Sequence, residues 1–144
     1  MDRFKCPIAV FLLLKEENKI YLQLRKNCSF AGMYGAIGGH VDGGETIINA
    51  VIREAKEEVG IDVSKKDLIL KTICHSNAGG KEYIQFFFVC DKWNGIIENK
   101  EKDKCERIDL FDINNLPENT VPYLKTAINK INAQEIFFED GFIE

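Results

Sequence analysis

Apolar and polar positions follow two different rhythms along this chain, with a glycine-dense stretch where one gives way to the other. Residues 8–14 form an unbroken apolar run, residues 20–24 alternate, and the five residues between them, Lys15 through Lys19, are all polar. That layout predicts a β-hairpin. Six glycines, Gly32, Gly35, Gly38, Gly39, Gly43 and Gly44, then crowd into residues 32–44. A backbone with that freedom can approach other groups closely, and the stretch is read as a loop. Beyond it the period lengthens: Ile48, Val51, Ile52, Ala55 and Val59 fall on one arc about 100° wide, which predicts an amphipathic helix. Thr46 offers a hydroxyl to cap its start, and Gly60 stands where a left-handed residue closes a helix.

Two further strand-like runs, residues 68–74 and 83–90, flank a turn at 77–81 and predict a second hairpin. Phe86, Phe87 and Phe88 alternate faces within it, so most of these rings are expected in the core. Residues 108–111 add a short strand. Leu124, Ala127, Ile128 and Ile131 share one face of a closing helix that starts near Pro122, a residue suited to a first turn. The tail 135–144 sets Phe137, Phe138 and Phe142 among acids and suits either a cover for the core or a contact in a homodimer. No repeat or linker divides the 144 residues, so one domain is expected over 1–144. Its class is α/β in the α+β sense, hairpins combined with two helices.

Composition narrows the function. At 45% hydrophobic and 29% charged residues the chain can bury a core, and its net charge of −4 lacks the basic excess of proteins that hold duplex nucleic acid. No nucleic-acid polymer is expected as a partner. The longest apolar run is far short of the roughly 20 residues that cross a bilayer, and residues 1–7 lack a signal-peptide layout, so the expected location is cytoplasmic, away from membranes. Five scattered cysteines without a C-x-x-C pair fit neither a disulfide framework nor a zinc site.

The chemistry sits on the central helix. Glu54, Glu57 and Glu58 are spaced i, i+3 and i+4 on the face away from the apolar arc. Like charges at such spacings destabilise a helix by about 0.2–0.5 kcal/mol per pair, so a cation is expected among them. Arg53 and Lys56 could supply it, which would make this an ordinary solvated acidic face. Against that reading, the helix is entered through Gly38-Gly39-His40-Val41-Asp42-Gly43-Gly44, where backbone and a phosphate could approach the same patch. Glu45 adds a fourth carboxylate there, or simply faces the helix dipole. Hard oxygen ligands with no His or Cys cluster select Mg²⁺ or Mn²⁺ over zinc, and Mg²⁺ commonly bridges carboxylates to substrate phosphates. The stretch lacks the G-K-[ST] ending of a Walker A loop.

Gly39, five residues, Glu45, seven residues, then Arg53-Glu54-Ala55-Lys56-Glu57-Glu58-Val59-Gly60-Ile61 resembles the complete signature of the Nudix hydrolases, G-x5-E-x7-R-E-U-x-E-E-x-G-U with U apolar. All seven fixed residues are present over residues 39–61, about a sixth of the chain. The resemblance implies a Nudix fold, a mixed β-sheet sandwiched between helices, and hydrolysis of a nucleoside diphosphate linked to another group. It further implies Mg²⁺, or Mn²⁺ in its place, held by Glu54, Glu57, Glu58 and the carbonyl of Gly38. Glu54 or Glu57, or a carboxylate outside the box, would take the proton of the attacking water. Arg53 would orient a glutamate, and Gly38, Gly39 and His40 would border the substrate, a small nucleotide.

Outside the box, Asn99, Glu101, Lys104, Cys105 and Glu106, followed by Leu116-Pro117, are similar to a segment of MutT-like Nudix enzymes that act on nucleoside triphosphates. Lys102 stands where a proline is usual and Leu110 where an aromatic is usual. The likeness adds Glu101 to the metal ligands. The proline that ADP-ribose pyrophosphatases of the family carry about sixteen residues beyond the box is missing from residues 76–80, and Tyr83 lies too far on for the tyrosine of the dinucleoside-polyphosphate subgroup. Nucleoside triphosphates, ordinary or chemically damaged, are thus the expected substrates, cut to monophosphate and pyrophosphate. The alternatives are another nucleoside diphosphate derivative, such as a nucleotide sugar or ADP-ribose, and a nucleotide-sensing module that binds without cleaving.

Overall fold

A computed structural model describes residues 2–143. In chain order the elements are β1 (Ile8–Glu16), β2 (Lys19–Arg25), β3 (Tyr34–Gly35), β4 (Ile37–His40), α1 (Ile47–Val59), β5 (Ile69–Ser76), β6 (Tyr83–Cys90), β7 (Cys105–Asp112), α2 (Pro122–Asn132) and β8 (Phe137–Asp140). The first predicted hairpin is antiparallel only beside its turn, where Lys15 faces Ile20 and Glu16 faces Lys19. Beyond those pairs the strands part and each takes other neighbours. β1 runs between β4, antiparallel, and β6, parallel, with Phe11 facing Gly38 on one side and Phe87 on the other. β2 runs between β3 and β7, both antiparallel. The parallel β1–β6 pair is possible because the chain returns through α1 and β5, the long connection that such a pair requires.

The unbroken apolar run of β1 follows from its central place, since a strand buried on both faces has no solvent side to alternate with. Val10, Leu12 and Leu14 pack with Ala50, Val51, Ala55 and Val59 of α1 in one core. Leu13 points the other way, into a second core with Leu22, Phe87 and the α2 residues Leu124, Ala127 and Ile128. The mixed sheet is therefore covered by one helix on each side. Phe88 joins the first core and Phe87 the second, stacked on Phe11 at 5.0 Å, so the aromatic triplet is used for packing. All five cysteines are free, and Cys74, Cys90 and Cys105 are buried.

Two expectations change. The glycine-dense stretch is not one loop, because β3 and β4 form within it and put Gly38 and Gly39 in extended backbone beside β1. Cross-strand hydrogen bonding with β1 supplies the regular structure that the local sequence does not announce. The tail, in turn, contains a strand: β8 runs parallel to β5, with Ile73 opposite Phe137 and Ser76 opposite Asp140. Phe138 is buried in the second core, so this part of the tail covers the core.

The ends of α1 are set as the sequence predicts. The Thr46 hydroxyl accepts from the Asn49 N–H at 3.0 Å, and Gly60 closes the helix at φ 74°. The segment between β6 and β7 then takes up helix carbonyls: the Glu98 N–H donates to the Val59 carbonyl at 3.1 Å and the Lys100 N–H to that of Glu58 at 3.0 Å. A Cβ at Gly60 would meet the Lys100 stem. An L side chain in the left-handed region costs about 1–2 kcal/mol, so Gly60→Ala is expected to lower unfolding free energy by about that amount, measured as a reduced urea midpoint at unchanged slope.

Candidate active site

Close approach of β4 to α1 creates the site. A Cβ on Gly39 would collide with the Glu54 carboxyl, so only glycine lets that glutamate lie against the strand. The result is a cleft of about 430 Å³ whose lining brings together Gly38, Gly39 and His40 from β4, Glu54, Glu57 and Glu58 from α1, and Glu101 from the β6–β7 segment. Arg53 and Glu45, also named from the sequence, do not line the cleft and pair with each other beside it.

Arg53 braces the carboxylates. Its Nε and Nη2 donate to the two oxygens of Glu45 at 2.7 and 3.0 Å, a bidentate pair. Nη1 donates to Glu54 at 2.8 Å and to Glu57 at 3.3 Å, and Nη2 also reaches the His40 carbonyl at 3.1 Å. These bonds from Arg53, with one from the Asp42 N–H, hold the Glu45 carboxyl below the usual carboxylate range. Lys56, expected to share the neutralisation, turns to Asp62 at 3.3 Å instead, since its place on the helix faces the residues beyond Gly60. His40 lays its ring on Tyr83, with centroids 5.5 Å apart.

Glu58 is the least neutralised of the group. Its carboxyl accepts from the Gly38 N–H at 2.9 Å and from the Gln23 amide at 3.2 Å, both neutral donors. Its pKa is pushed up to about 9, chiefly by burial and also by the neighbouring Glu54 carboxyl, against the Gln23 and Gly38 donors. Glu54 is also raised, chiefly by burial, although Arg53 opposes the shift. Two desolvated carboxyls thus face one another with one guanidinium between three claimants, an arrangement that holds a proton or calls for a cation.

The donor set suits a hard cation. Oxygen ligands predominate, and the thiol of Cys105 in the same cleft is pushed up by burial, so it supplies no thiolate. Among the described residues, however, no three His, Cys, Asp or Glu side chains already converge on one point. Glu57 leans onto Arg53 and is about half exposed, at 53%, so the glutamates share a wall without forming a finished cage. Four lining residues were not singled out from the sequence: Gln23 and Arg25 on β2, and Cys28 and Ser29 just after it. Arg25 is pinned by the Ser29 carbonyl at 2.7 Å and the Ser29 hydroxyl at 3.2 Å. The available signal was the polar spacing of Gln23 and Arg25 two apart on a strand, but their distance from the box in sequence hides their place in the cleft.

Residues 5–131 match the family model described as the NUDIX domain. The chain belongs to the Nudix hydrolase family. An "ADP-ribose pyrophosphatase" of Methanocaldococcus jannaschii is 36% identical over 111 residues, which cover 77% of this chain and 64% of that protein. An "8-oxo-dGTP diphosphatase" of Proteus vulgaris is 32% identical over 101 residues, 69% of this chain and 89% of the relative. The fold agrees with a crystal structure of a MutT NUDIX hydrolase from Burkholderia pseudomallei, at TM-score 0.79 and 24% identity over 88% of this chain and 98% of that one. Of the box, this Nudix chain sets Gly39, Glu54, Glu57 and Glu58 on the cleft wall.

Removing one of the two facing carboxylates relieves their repulsion while Gln keeps an acceptor for the Gly38 N–H. Glu58→Gln is therefore expected to hold or raise the melting temperature in excess chelator, read by differential scanning calorimetry beside the unsubstituted chain. A large loss would show that Glu58 serves the fold instead.

Proposed function

We propose that this Nudix protein is a divalent-cation-dependent pyrophosphohydrolase that cuts nucleoside triphosphates, ordinary or damaged, to the monophosphate and pyrophosphate. The observation that carries the reading is the meeting of Glu54, Glu57 and Glu58 with Glu101, a carboxylate from outside the box, across a cleft that Arg25 and Lys104 also line. One side offers ligands for Mg²⁺ or Mn²⁺ and the other offers positive charge to phosphate. The name of the Proteus vulgaris relative supports a triphosphate substrate. A specific observation favours the second reading, ADP-ribose: the archaeal relative at 36% identity carries that substrate in its name.

Glu57, Glu58, Glu101 and the Gly38 carbonyl would hold the metal. When bound, it supplies neutralisation of phosphate charge and a water acidic enough to be a nucleophile at neutral pH. Glu54 would serve as acceptor for the proton of the attacking water, and its carboxyl is held by the Arg53 Nη1 donation at 2.8 Å. Arg53 is in turn fixed by the Glu45 pair, so its role is positioning. Gly38, Gly39 and His40 would border the nucleotide along β4, on the same cleft wall as the glutamates.

Turnover is expected to vanish in excess chelator and to return with Mg²⁺ or Mn²⁺. A panel of triphosphates, nucleotide sugars and ADP-ribose, assayed for both pyrophosphate and orthophosphate, separates the readings. The expected products from a triphosphate are monophosphate and pyrophosphate, with label from heavy-oxygen water in only one of them. Orthophosphate release, or preference for ADP-ribose over every triphosphate, would overturn the substrate; tight nucleotide binding without turnover in the presence of metal would point to a sensing module.

A further inference from the structure

Glu101 lies in a segment of fourteen residues, 91–104, that connects β6 to β7 without a regular element of its own. A ligand on an unsupported loop of that length would be poorly placed, and the structure shows how this one is held. On its first side the segment is tied to α1. Asp62 and Asn94 exchange N–H···O bonds of 3.0 and 2.9 Å, and the Glu98 and Lys100 amides bond the Val59 and Glu58 carbonyls. Trp93 and Ile97 pack against the first core. The backbone of Glu58 and the backbone one residue before Glu101 are therefore directly hydrogen-bonded.

On its second side the Lys26 N–H donates to the Lys104 carbonyl at 2.9 Å and Asn27 Nδ2 to that of Asp103 at 3.0 Å, while Asn99 is the side chain that reaches Glu101 itself. Asn99 Oδ1 accepts from the Glu101 N–H at 3.1 Å, and Asn99 Nδ2 donates to the Cys105 carbonyl at 2.6 Å. The Glu101 carbonyl completes the turn by accepting from the Lys104 and Cys105 amides at 2.9 and 2.8 Å. Cys105 is the first residue of β7 and faces Arg25 across the ladder with β2. The Asn99 amide, together with the Glu101 carbonyl, thus ties Glu101 to the strand that pairs with Arg25, while the main chain beside it ties Glu101 to the helix that carries Glu58.

We propose that Asn99 is a positioning residue of the active site, which holds the Glu101 carboxylate at the correct separation from Glu57 and Glu58 for the three to serve one cation. The inference rests on the reading of Glu101 as a metal ligand. An amide is suited to this place because it accepts and donates at once: Asp would keep only the acceptor, and Ser would restore the bond to the Glu101 N–H in the manner of a short polar turn residue. Partners of this kind behind a metal ligand typically alter metal affinity or activity by about 10–100-fold when removed.

The test uses the full chain and Mn²⁺ alone as probe, with its dissociation constant read from the electron paramagnetic resonance of the free ion. Steady-state kinetics with dGTP and Mg²⁺ accompany it, on Asn99→Ala, Asn99→Ser and Glu101→Gln. Asn99→Ala is expected to weaken Mn²⁺ binding by at least fivefold and to lower kcat by about 10–100-fold with KM within threefold, and Asn99→Ser to recover part of both. A lower melting temperature with Mn²⁺ affinity and kcat within twofold of the unsubstituted chain would overturn the proposal, because a structural role alone predicts that pattern. If Asn99→Ala does not fold, the same two readouts on Asn99→Ser decide in the same way. Weaker Mn²⁺ binding in Glu101→Gln with unchanged Asn99 variants defeats the role of Asn99 alone. Unchanged Mn²⁺ binding in Glu101→Gln defeats the reading of Glu101 as a ligand, and the role of Asn99 with it.

Discussion

The site depends on an imbalance of charge: one guanidinium serves several carboxylates. Arg53 bonds Glu45, Glu54 and Glu57 at once, and Glu58 is left with only neutral donors. Burying carboxyls beside each other is unfavourable unless a proton or a cation is shared among them, and the raised pKa values of Glu54 and Glu58 express that cost. The fold tolerates the arrangement because the rest of α1 is firmly packed: Ala50, Val51, Ala55 and Val59 on the opposite arc are buried against β1 and β6. Apolar burial on one face of a 13-residue helix thus holds an unfavourable polar face in place on the other.

Small residues turn that packing into a site. Gly39 lets the strand lie against the Glu54 carboxyl, and Gly60 lets the chain turn back so that the β6–β7 segment can satisfy the carbonyls at the end of α1. A side chain at Gly39 would displace the Glu54 carboxyl, and one at Gly60 would meet the Lys100 stem in a left-handed backbone. The box is therefore more than a set of ligands. Its glycines and its arginine govern distances, and its glutamates use them.

Substrate choice belongs to a different part of the molecule. The residues that face the glutamates across the cleft, Arg25 and Lys104 among them, come from β2 and from the segment before β7. They come from elements other than the helix that carries the box, and the relatives named for ADP-ribose and for 8-oxo-dGTP are 36% and 32% identical to this chain.

Local patterns by themselves determined α1 with both its ends, the strand-rich remainder, the face on which three glutamates meet and the family that this spacing implies. Each of those rests on interactions within a few residues along the chain, such as the Thr46 hydroxyl on the Asn49 N–H, or on a period that burial imposes. Only the tertiary structure decided the rest. It made strands of Tyr34–Gly35, Ile37–His40 and Phe137–Asp140, whose hydrogen-bond partners are remote in sequence. It sent Lys56 to Asp62 and left Arg53 with the carboxylates, a matter of which way each side chain leaves the helix surface. It also placed Gln23 against Glu58, 35 residues away, and set Glu101 in the same cleft. Such pairings depend on how β2, β7 and α1 close around a shared space, and no local periodicity encodes the distance between elements that meet only after the chain has folded.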